Sequence, residues 1–157
     1  MRILVISDSH NRVGTVEKII RSQPKAKVVF FLGDCDSDMD DMLIKFPDKI
    51  FNVVKGNCDF GSVRPATGMD IVNGKRIFFT HGHTFGVKYG TENLVKTAKS
   101  NDADIALYGH THVSQILYES GIYVVNPGSC SEPRNGVASY AVIDIMESGI
   151  LPAIIKV

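Results

Sequence analysis

Five short apolar runs in this chain each end at side chains that can bind a metal ion. The runs have the length of buried β-strands and are separated by helical patterns or turn signals. They cover residues 3–6, 28–32, 51–54, 77–79 and 105–108. The side chains that follow them, in the same order, are Asp8 with His10, Asp34, Asn57, His81, and His110 with His112. Because ligands bind outside the carboxyl ends of the strands in open α/β sheets, we expect these side chains to converge.

The order of the predicted elements favours two packed sheets with helices on the outside. In the first half, apolar residues at helical spacing follow Asn11 and Ser37, which predicts parallel strands joined by helices. Asn73-Gly74 between two apolar runs is a strong hairpin signal, and two more hairpins are expected in the C-terminal third. Pro152 predicts that the last strand lies at a sheet edge, because proline cannot donate a hydrogen bond to a central ladder.

Length and composition predict an ordinary globular protein with one domain, residues 1–157. Lys plus Arg and Asp plus Glu are equal at 17 each, so no overall charge favours nucleic acid or an anionic membrane as a partner. No apolar stretch reaches the length of a membrane span, and the first run is too short for a signal peptide. The three cysteines form no CxxC pair, which favours a reducing, cytoplasmic environment. A homo-oligomer is compatible with the sequence.

The candidate ligands comprise two carboxylates, one amide oxygen and four imidazoles, without a thiolate. Such a set suits borderline or hard divalent ions, and we expect Mn²⁺, with Ni²⁺, Fe²⁺ or Zn²⁺ as alternatives. Seven ligands are too many for one tetrahedral ion, so the set predicts two ions that share a bridging carboxylate, for which Asp34 is the candidate. Paired ions with a bound hydroxide hydrolyse phosphoesters at neutral pH, and this is the chemistry that the set predicts.

Each of these residues has an ordinary alternative when it is considered singly. Asp8 could end a strand, Asp34 could cap a turn after Gly33, and Asn57 could occupy a left-handed turn position. A lone histidine is more often a satisfied surface or core residue than a ligand. The repetition of the pattern at five predicted strand ends favours the metal site over these alternatives.

Five motifs of the chain resemble those of the calcineurin-like metallophosphoesterases, in the family's order. They are Asp8-x-His10, Gly33-Asp34, Gly56-Asn57-x-Asp59, Thr80-His81-Gly82-His83 and Gly109-His110-Thr111-His112. With Asn126-Pro127-Gly128-Ser129 and Pro133-Arg134, the chain is similar to the small bacterial and archaeal phosphodiesterase branch of that superfamily.

The resemblance implies a fold, a ligand arrangement and an activity. The implied fold is a four-layer α/β/β/α sandwich with two mixed sheets. One implied ion would be held by Asp8, His10, Asp34 and His112, and the other by Asp34, Asn57, His81 and His110. The implied activity is hydrolysis of a small phosphodiester through a metal-bound hydroxide. A phosphomonoesterase with the same site, or a non-catalytic scaffold similar to the retromer subunit of this fold, are the alternatives.

The sequence departs from the family's common motif at Cys58, where most members have a histidine that protonates the leaving group. Cys58 and Asp59 are therefore our candidates for catalytic side chains beside the hydroxide. Cys58 could instead be a small residue in a tight turn, and Asp59 could be a turn carboxylate or a hydrogen-bond acceptor for a neighbour of the metals. His83 and Arg134 are candidate substrate-binding residues. His83 could also support a ligand, and Arg134 could be a solvated loop arginine or a bidentate phosphate clamp.

Overall fold

The computed structural model describes all 157 residues, which form three α-helices and ten strands. The helices are α1 (Val13–Ser22), α2 (Asp38–Lys45) and α3 (Glu92–Ser100). The strands are β1 (Arg2–Ile6), β2 (Val28–Phe31), β3 (Ile50–Val53), β4 (Thr67–Val72), β5 (Lys75–Thr80), β6 (Ile105–Leu107), β7 (Gln115–Glu119), β8 (Ile122–Asn126), β9 (Ser139–Met146) and β10 (Gly149–Lys156).

The first sheet has the strand order β10-β9-β1-β2-β3. β1, β2 and β3 run parallel, and the C-terminal hairpin of β9 and β10 adds two antiparallel strands beside β1. β1 and β2 read as continuous apolar runs because both of their faces are buried. β10 lies at the edge, which confirms the prediction from Pro152.

The second sheet has the order β4-β5-β6-β8-β7 and is also mixed. β5, β6 and β8 are parallel, while β4 and β7 pair antiparallel at the two edges. Asn73 and Gly74 have φ values of 50° and 78° in the β4–β5 turn, as the two-residue hairpin requires. The predicted hairpin at these residues is therefore confirmed.

Three apolar clusters define four layers. The largest lies between the two sheets and contains Ile3, Phe30 and Phe79 among its 15 buried residues. A second cluster packs α1 and α2 against the outer face of the first sheet, and a third packs α3 against the second sheet. The predicted four-layer α/β/β/α sandwich with two mixed sheets is thus confirmed. No helix has the length and hydrophobicity needed to cross a membrane.

The boundaries of some elements differ from the sequence-based expectation by one residue. β2 ends at Phe31 rather than at residue 32, and β3 spans 50–53 rather than 51–54. His83–Phe85 form a short 3₁₀ helix that the sequence analysis did not predict. It lies between Gly82 and Gly86, whose φ values of 104° and 67° suit glycine, and it turns the chain away from β5 directly after the site.

Candidate metal centre

The parallel strands bring all seven candidate ligands to one end of the two sheets. β1, β2 and β3 deliver ligands from the first sheet, and β5 and β6 deliver them from the second. The ligand atoms form a first group of Asp8, His10, Asp34 and His112, and a second group of Asp34, His81 and His110. Within each group, the ligand atoms lie within 4.8 Å of one another, and Asp34 belongs to both groups. Asn57 adjoins the second group, since its Oδ1 is 3.1 Å from Nε2 of His81.

Ring nitrogens face each other at short range within both groups. Nε2 of His10 lies 3.2 Å from Nε2 of His112, and Nε2 of His81 lies 3.2 Å from Nδ1 of His110. Neighbouring ligands that each lie about 2.1 Å from a tetrahedral ion are about 3.4 Å apart. The spacing of the side chains therefore fits an ion in each group.

Hydrogen bonds on the far side of two rings fix which nitrogen is free to bind. Nδ1 of His81 donates to the carbonyl of Leu32 at 2.7 Å, and Nδ1 of His112 donates to the carbonyl of Glu132 at 2.6 Å. In the neutral imidazoles, Nδ1 then carries the proton, and Nε2 is unprotonated with its lone pair directed into the site. Backbone acceptors of this kind are the usual outer partners of metal-binding histidines.

Asp8 offers an independent test of whether the residues fit a cation. Its side chain is fully buried, and Oδ1 accepts no hydrogen bond although it lies 3.3 Å from Nε2 of His112. Burial acts to raise the pKa of this carboxyl, but the nearby imidazoles of His112 and His81 outweigh it, so the pKa lies below its ordinary value. A buried carboxylate oxygen without a donor is costly unless a cation neutralises it. The donor set thus fits divalent metal ions.

Unusual backbone conformations are concentrated at this site. Ten residues other than glycine have a positive φ, and seven of them belong to the ligand loops: Asp8, His10, Asn11, Asp34, Cys35, His110 and His112. The other three lie in surface turns. Left-handed conformations of this kind persist where the surrounding structure enforces them, and they cluster at functional sites. Here they occur at five of the seven candidate ligands.

Asp59 organises the loop that carries Asp34, the residue common to both ligand groups. Its carboxylate accepts hydrogen bonds from four backbone N–H groups, those of Asp34, Cys35, Asp36 and Gly56, at 2.6 to 3.0 Å. These bonds join the loop after β2 to the loop after β3. Both carboxylate oxygens are occupied, so the geometry favours positioning of Asp34 over direct catalysis by Asp59.

The turn that carries Asp8 and His10 is held from a distant part of the chain. The hydroxyls of Ser129 and Ser131 donate to the carbonyl of Asp8 at 2.8 and 3.1 Å, and Ser131 also donates to the carbonyl of Ser9. The sequence analysis named Ser129 within a motif but gave it no role, and it did not identify Ser131. The Asn126–Ser129 motif was the available signal, but nothing in the sequence indicated which loop it contacts.

Cys58 lies beside the bridging carboxylate and is exposed. Its backbone N–H donates to Oδ1 of Asp34 at 2.9 Å, and its sulfur lies 3.3 Å from the amide nitrogen of Asn57. Desolvation and the neighbouring carboxylate of Asp34 raise the pKa of the thiol to about 11. In the metal-free chain, such a thiol keeps its proton at neutral pH and is a weak acid for protonating a leaving group.

His83 and Arg134 flank the ligands from two sides. The ring of His83 is 5.4 Å from that of His81 and 6.0 Å from that of His110, and its Nδ1 is buried without a hydrogen-bond partner. Burial lowers its pKa, so the ring is neutral at pH 7. Arg134 is exposed and donates its backbone N–H to the carbonyl of His112 at 3.1 Å. Its guanidinium is free to turn toward a bound anion.

The pKa values of two candidate ligands, His112 and His110, are expected to differ widely in the metal-free protein. The neighbouring carboxylate of Asp8 raises the pKa of His112, whereas burial and the charge of His81 lower the pKa of His110 to about 4. A metal must displace any proton from the nitrogen that it binds. We therefore expect metal binding to release a proton from His112 at pH 6, whereas His110 is already neutral there.

This prediction can be checked on chelator-treated protein. NMR of the imidazole C–H signals should give an inflection above 6.5 for His112 and one near 4 for His110. Calorimetry at pH 6 in buffers of different ionisation enthalpy should detect the released proton. Equal inflections for the two rings would contradict the assignment of their environments.

Comparison with known proteins identifies the family to which the sequence is related. The sequence model of the calcineurin-like phosphoesterase superfamily domain matches residues 1–148. The probable metallophosphoesterase YsnB of Bacillus subtilis is 29% identical over 147 residues, which are 92% of this chain and 85% of YsnB. The phosphodiesterase YfcE of Escherichia coli is 34% identical over 119 residues, which are 75% of this chain and 53% of YfcE.

A solved structure has the same fold as this chain. A Streptococcus pneumoniae protein, described as a predicted phosphoesterase, superposes with a TM-score of 0.87 and is 34% identical. The superposition covers 99% of this chain and 88% of the other. Since the family match covers nearly the whole sequence and includes every candidate ligand, this chain belongs to the calcineurin-like phosphoesterase superfamily.

Proposed function

We propose that this protein is a dinuclear metal-dependent phosphodiesterase that hydrolyses a small phosphodiester. The observation that carries the proposal is the sharing of Asp34 by two groups of ligands. Membership of the superfamily, together with relatives named as metallophosphoesterase and phosphodiesterase, supports a metal-dependent phosphoric ester hydrolase.

The side chains have distinct roles in this proposal. Asp8, His10, Asp34 and His112 would hold one divalent ion, and Asp34, Asn57, His81 and His110 would hold the other. When bound, the two ions would supply Lewis acidity and a nucleophile that is deprotonated near neutral pH. Mn²⁺ is the ion we propose, and Ni²⁺, Fe²⁺ and Zn²⁺ suit the same donors.

Two cationic or hydrogen-bonding side chains would orient the ester. Arg134 can donate two parallel hydrogen bonds to non-bridging phosphate oxygens, and its exposed position leaves it free to do so. His83 would donate from its ring to the same phosphate. Asp59 and Cys58 would act through Asp34. The carboxylate of Asp59 accepts a hydrogen bond from the backbone N–H of Asp34, and the backbone N–H of Cys58 donates to the carboxylate of Asp34.

We favour diesters over monoesters because the chain supplies little acid to the leaving group. Cys58 stands where a histidine acid is common in the family, and the raised pKa of its thiol makes it a poor substitute. The leaving group must therefore depart with little proton transfer from a side chain, which disfavours leaving groups of high pKa.

The first experiment compares bis(p-nitrophenyl) phosphate with p-nitrophenyl phosphate on chelator-stripped protein, with and without Mn²⁺. We expect cleavage that depends on Mn²⁺ and is faster for the diester. Faster cleavage of the monoester would favour a phosphomonoesterase. Protein that binds two ions per chain yet cleaves neither ester would fit the scaffold predicted as the alternative.

Cys58→His is expected to raise the hydrolysis of esters that have poor leaving groups. The substitution restores an imidazole, and a well-positioned general acid contributes about 10²- to 10⁴-fold. An introduced ring without optimised geometry should give about tenfold. The rate with phenyl esters should rise, while that with p-nitrophenyl esters, whose leaving group needs less protonation, should change little. Cys58→Ser is the matched control, and an equal rise in both variants would contradict an acid role.

A further inference from the structure

A cleft of about 620 Å³ opens beside the candidate metal centre. Three of its lining residues, Asn11, Cys35 and Cys58, directly follow the ligands His10, Asp34 and Asn57 in sequence. One wall is the first turn of α2, and the other is the segment Asp59–Arg64, named here the rim loop. An ester whose phosphate lies on the ligands could therefore place an organic group in this cleft.

The rim loop is held by its polar side chains, so the cleft exists before a ligand binds. Asp59 accepts its four backbone hydrogen bonds, and the hydroxyl of Ser62 donates to the carboxylate of Asp36. Arg64 donates to the carbonyl of Asp36 and to the carboxylate of Asp40. A preformed cleft binds an organic group at lower entropic cost than a mobile loop does.

The apolar side chains of the rim loop line the cleft and are exposed to solvent. Phe60 is 92% exposed and Val63 is 99% exposed. This inverts the usual arrangement, in which the polar side chains of a loop face water and the apolar side chains face the protein. Exposed apolar residues that adjoin a cleft are typical of ligand-binding surfaces. Phe60 offers a ring against which a flat group can stack.

The charges of the cleft disfavour organic groups that are themselves negatively charged. Asp36, Asp40 and Asp59 line it, and Arg64 is the one cationic side chain among its lining residues. Arg64 is already paired with Asp36 and Asp40, so it is not available to a second anion. A group that carries its own negative charge would be repelled, whereas an uncharged group would not.

We infer that the cleft binds an uncharged aromatic or ring-bearing arm of the phosphodiester, with Phe60 as the specificity-determining residue. This inference rests on the proposed phosphodiesterase function. It names the substrate class as diesters with a neutral ring, and it excludes oligonucleotides, whose arms carry further phosphates.

Three esters with the same p-nitrophenolate leaving group test the inference: the methyl, phenyl and 4-carboxyphenyl p-nitrophenyl phosphates. With Mn²⁺ present, we expect kcat/KM for the phenyl ester to exceed the other two. Phe60→Ala should lower the phenyl-to-methyl ratio by about three- to tenfold, the range expected for one aromatic contact. Tyr118→Ala is the control, because this 67% exposed ring lies beside Asp104, at the opposite end of the second sheet. That variant should keep the ratio of the unmodified protein.

The outcomes separate this inference from the proposed function. If all three esters are cleaved but the ratio is the same in Phe60→Ala, the cleft assignment is wrong and the phosphodiesterase remains. If none is cleaved, the proposed function fails and the inference fails with it.

A binding measurement gives a second readout that does not depend on turnover. The chain contains no tryptophan, so Phe60→Trp places a single tryptophan at the cleft, whose emission can be excited at wavelengths where tyrosine does not absorb. With Zn²⁺ bound, phenylphosphonate should change its emission saturably, whereas methylphosphonate should not. Tyr118→Trp should respond to neither. An equal response of Phe60→Trp to both phosphonates would overturn the inference.

Discussion

Asp34→Ala is expected to abolish metal-dependent hydrolysis of bis(p-nitrophenyl) phosphate. Loss of partners outside the first ligand shell typically costs 10- to 100-fold in affinity or activity, and removal of a shared ligand should exceed about 100-fold. The carboxylate belongs to both ligand groups, and its side chain is only 3% exposed. Its removal would leave the two groups without their common anion, so each ion should bind more weakly.

Metal analysis gives the second readout for this variant. We expect fewer than two Mn²⁺ ions per chain after dialysis, with the circular dichroism spectrum unchanged. Asp48→Ala is the control, because Asp48 is an exposed acid whose partner is Lys27, and surface pairs of this kind contribute little to stability. Retention of two ions and of full turnover by Asp34→Ala would exclude the shared-ligand arrangement.

The convergence of the candidate ligands could be predicted from the sequence, because it follows from the order of apolar runs and polar side chains along the chain. Each ligand follows an apolar run, and parallel strands end at the same side of a sheet. The prediction that His81 and His110 lie together therefore needed only the assignment of two strands, and the structure places their nitrogens 3.2 Å apart. The same holds for the helices, whose buried residues Val16, Ile19 and Ile20 follow helical spacing.

The supporting interactions could not be predicted in the same way. Ser129 donates to the carbonyl of Asp8 across 121 residues, and no periodicity links two loops so far apart. The cleft could not be predicted either, because the exposure of Phe60 depends on loop backbone angles that hydrophobic patterns do not encode. The sequence therefore predicts which candidate ligands lie together, whereas the residues that support them depend on loop geometry.

Asp59→Asn is expected to weaken both the fold and the metal centre, which distinguishes this residue from an ordinary surface acid. The amide has one oxygen where the carboxylate has two, so about two of the four backbone N–H groups would lose their acceptor. Unsatisfied donors cost about 1–3 kcal/mol each, and we expect a loss of about 3 kcal/mol in the free energy of unfolding. Because the loop that carries Asp34 would loosen, Mn²⁺ affinity should fall by about 10- to 100-fold.

The matched control for Asp59→Asn is Asp70→Asn, since Asp70 is a half-buried acid on β4 that accepts a hydrogen bond from Asn52 at 2.7 Å. Urea denaturation of the metal-free proteins would measure the stability, and titration with Mn²⁺ would measure the affinity. A catalytic carboxylate predicts a different result, in which turnover falls while stability and affinity stay unchanged. The hydrogen bonds of Asp59 run to the backbone of two loops, at Asp34 and at Gly56, so we expect affinity and stability to fall together.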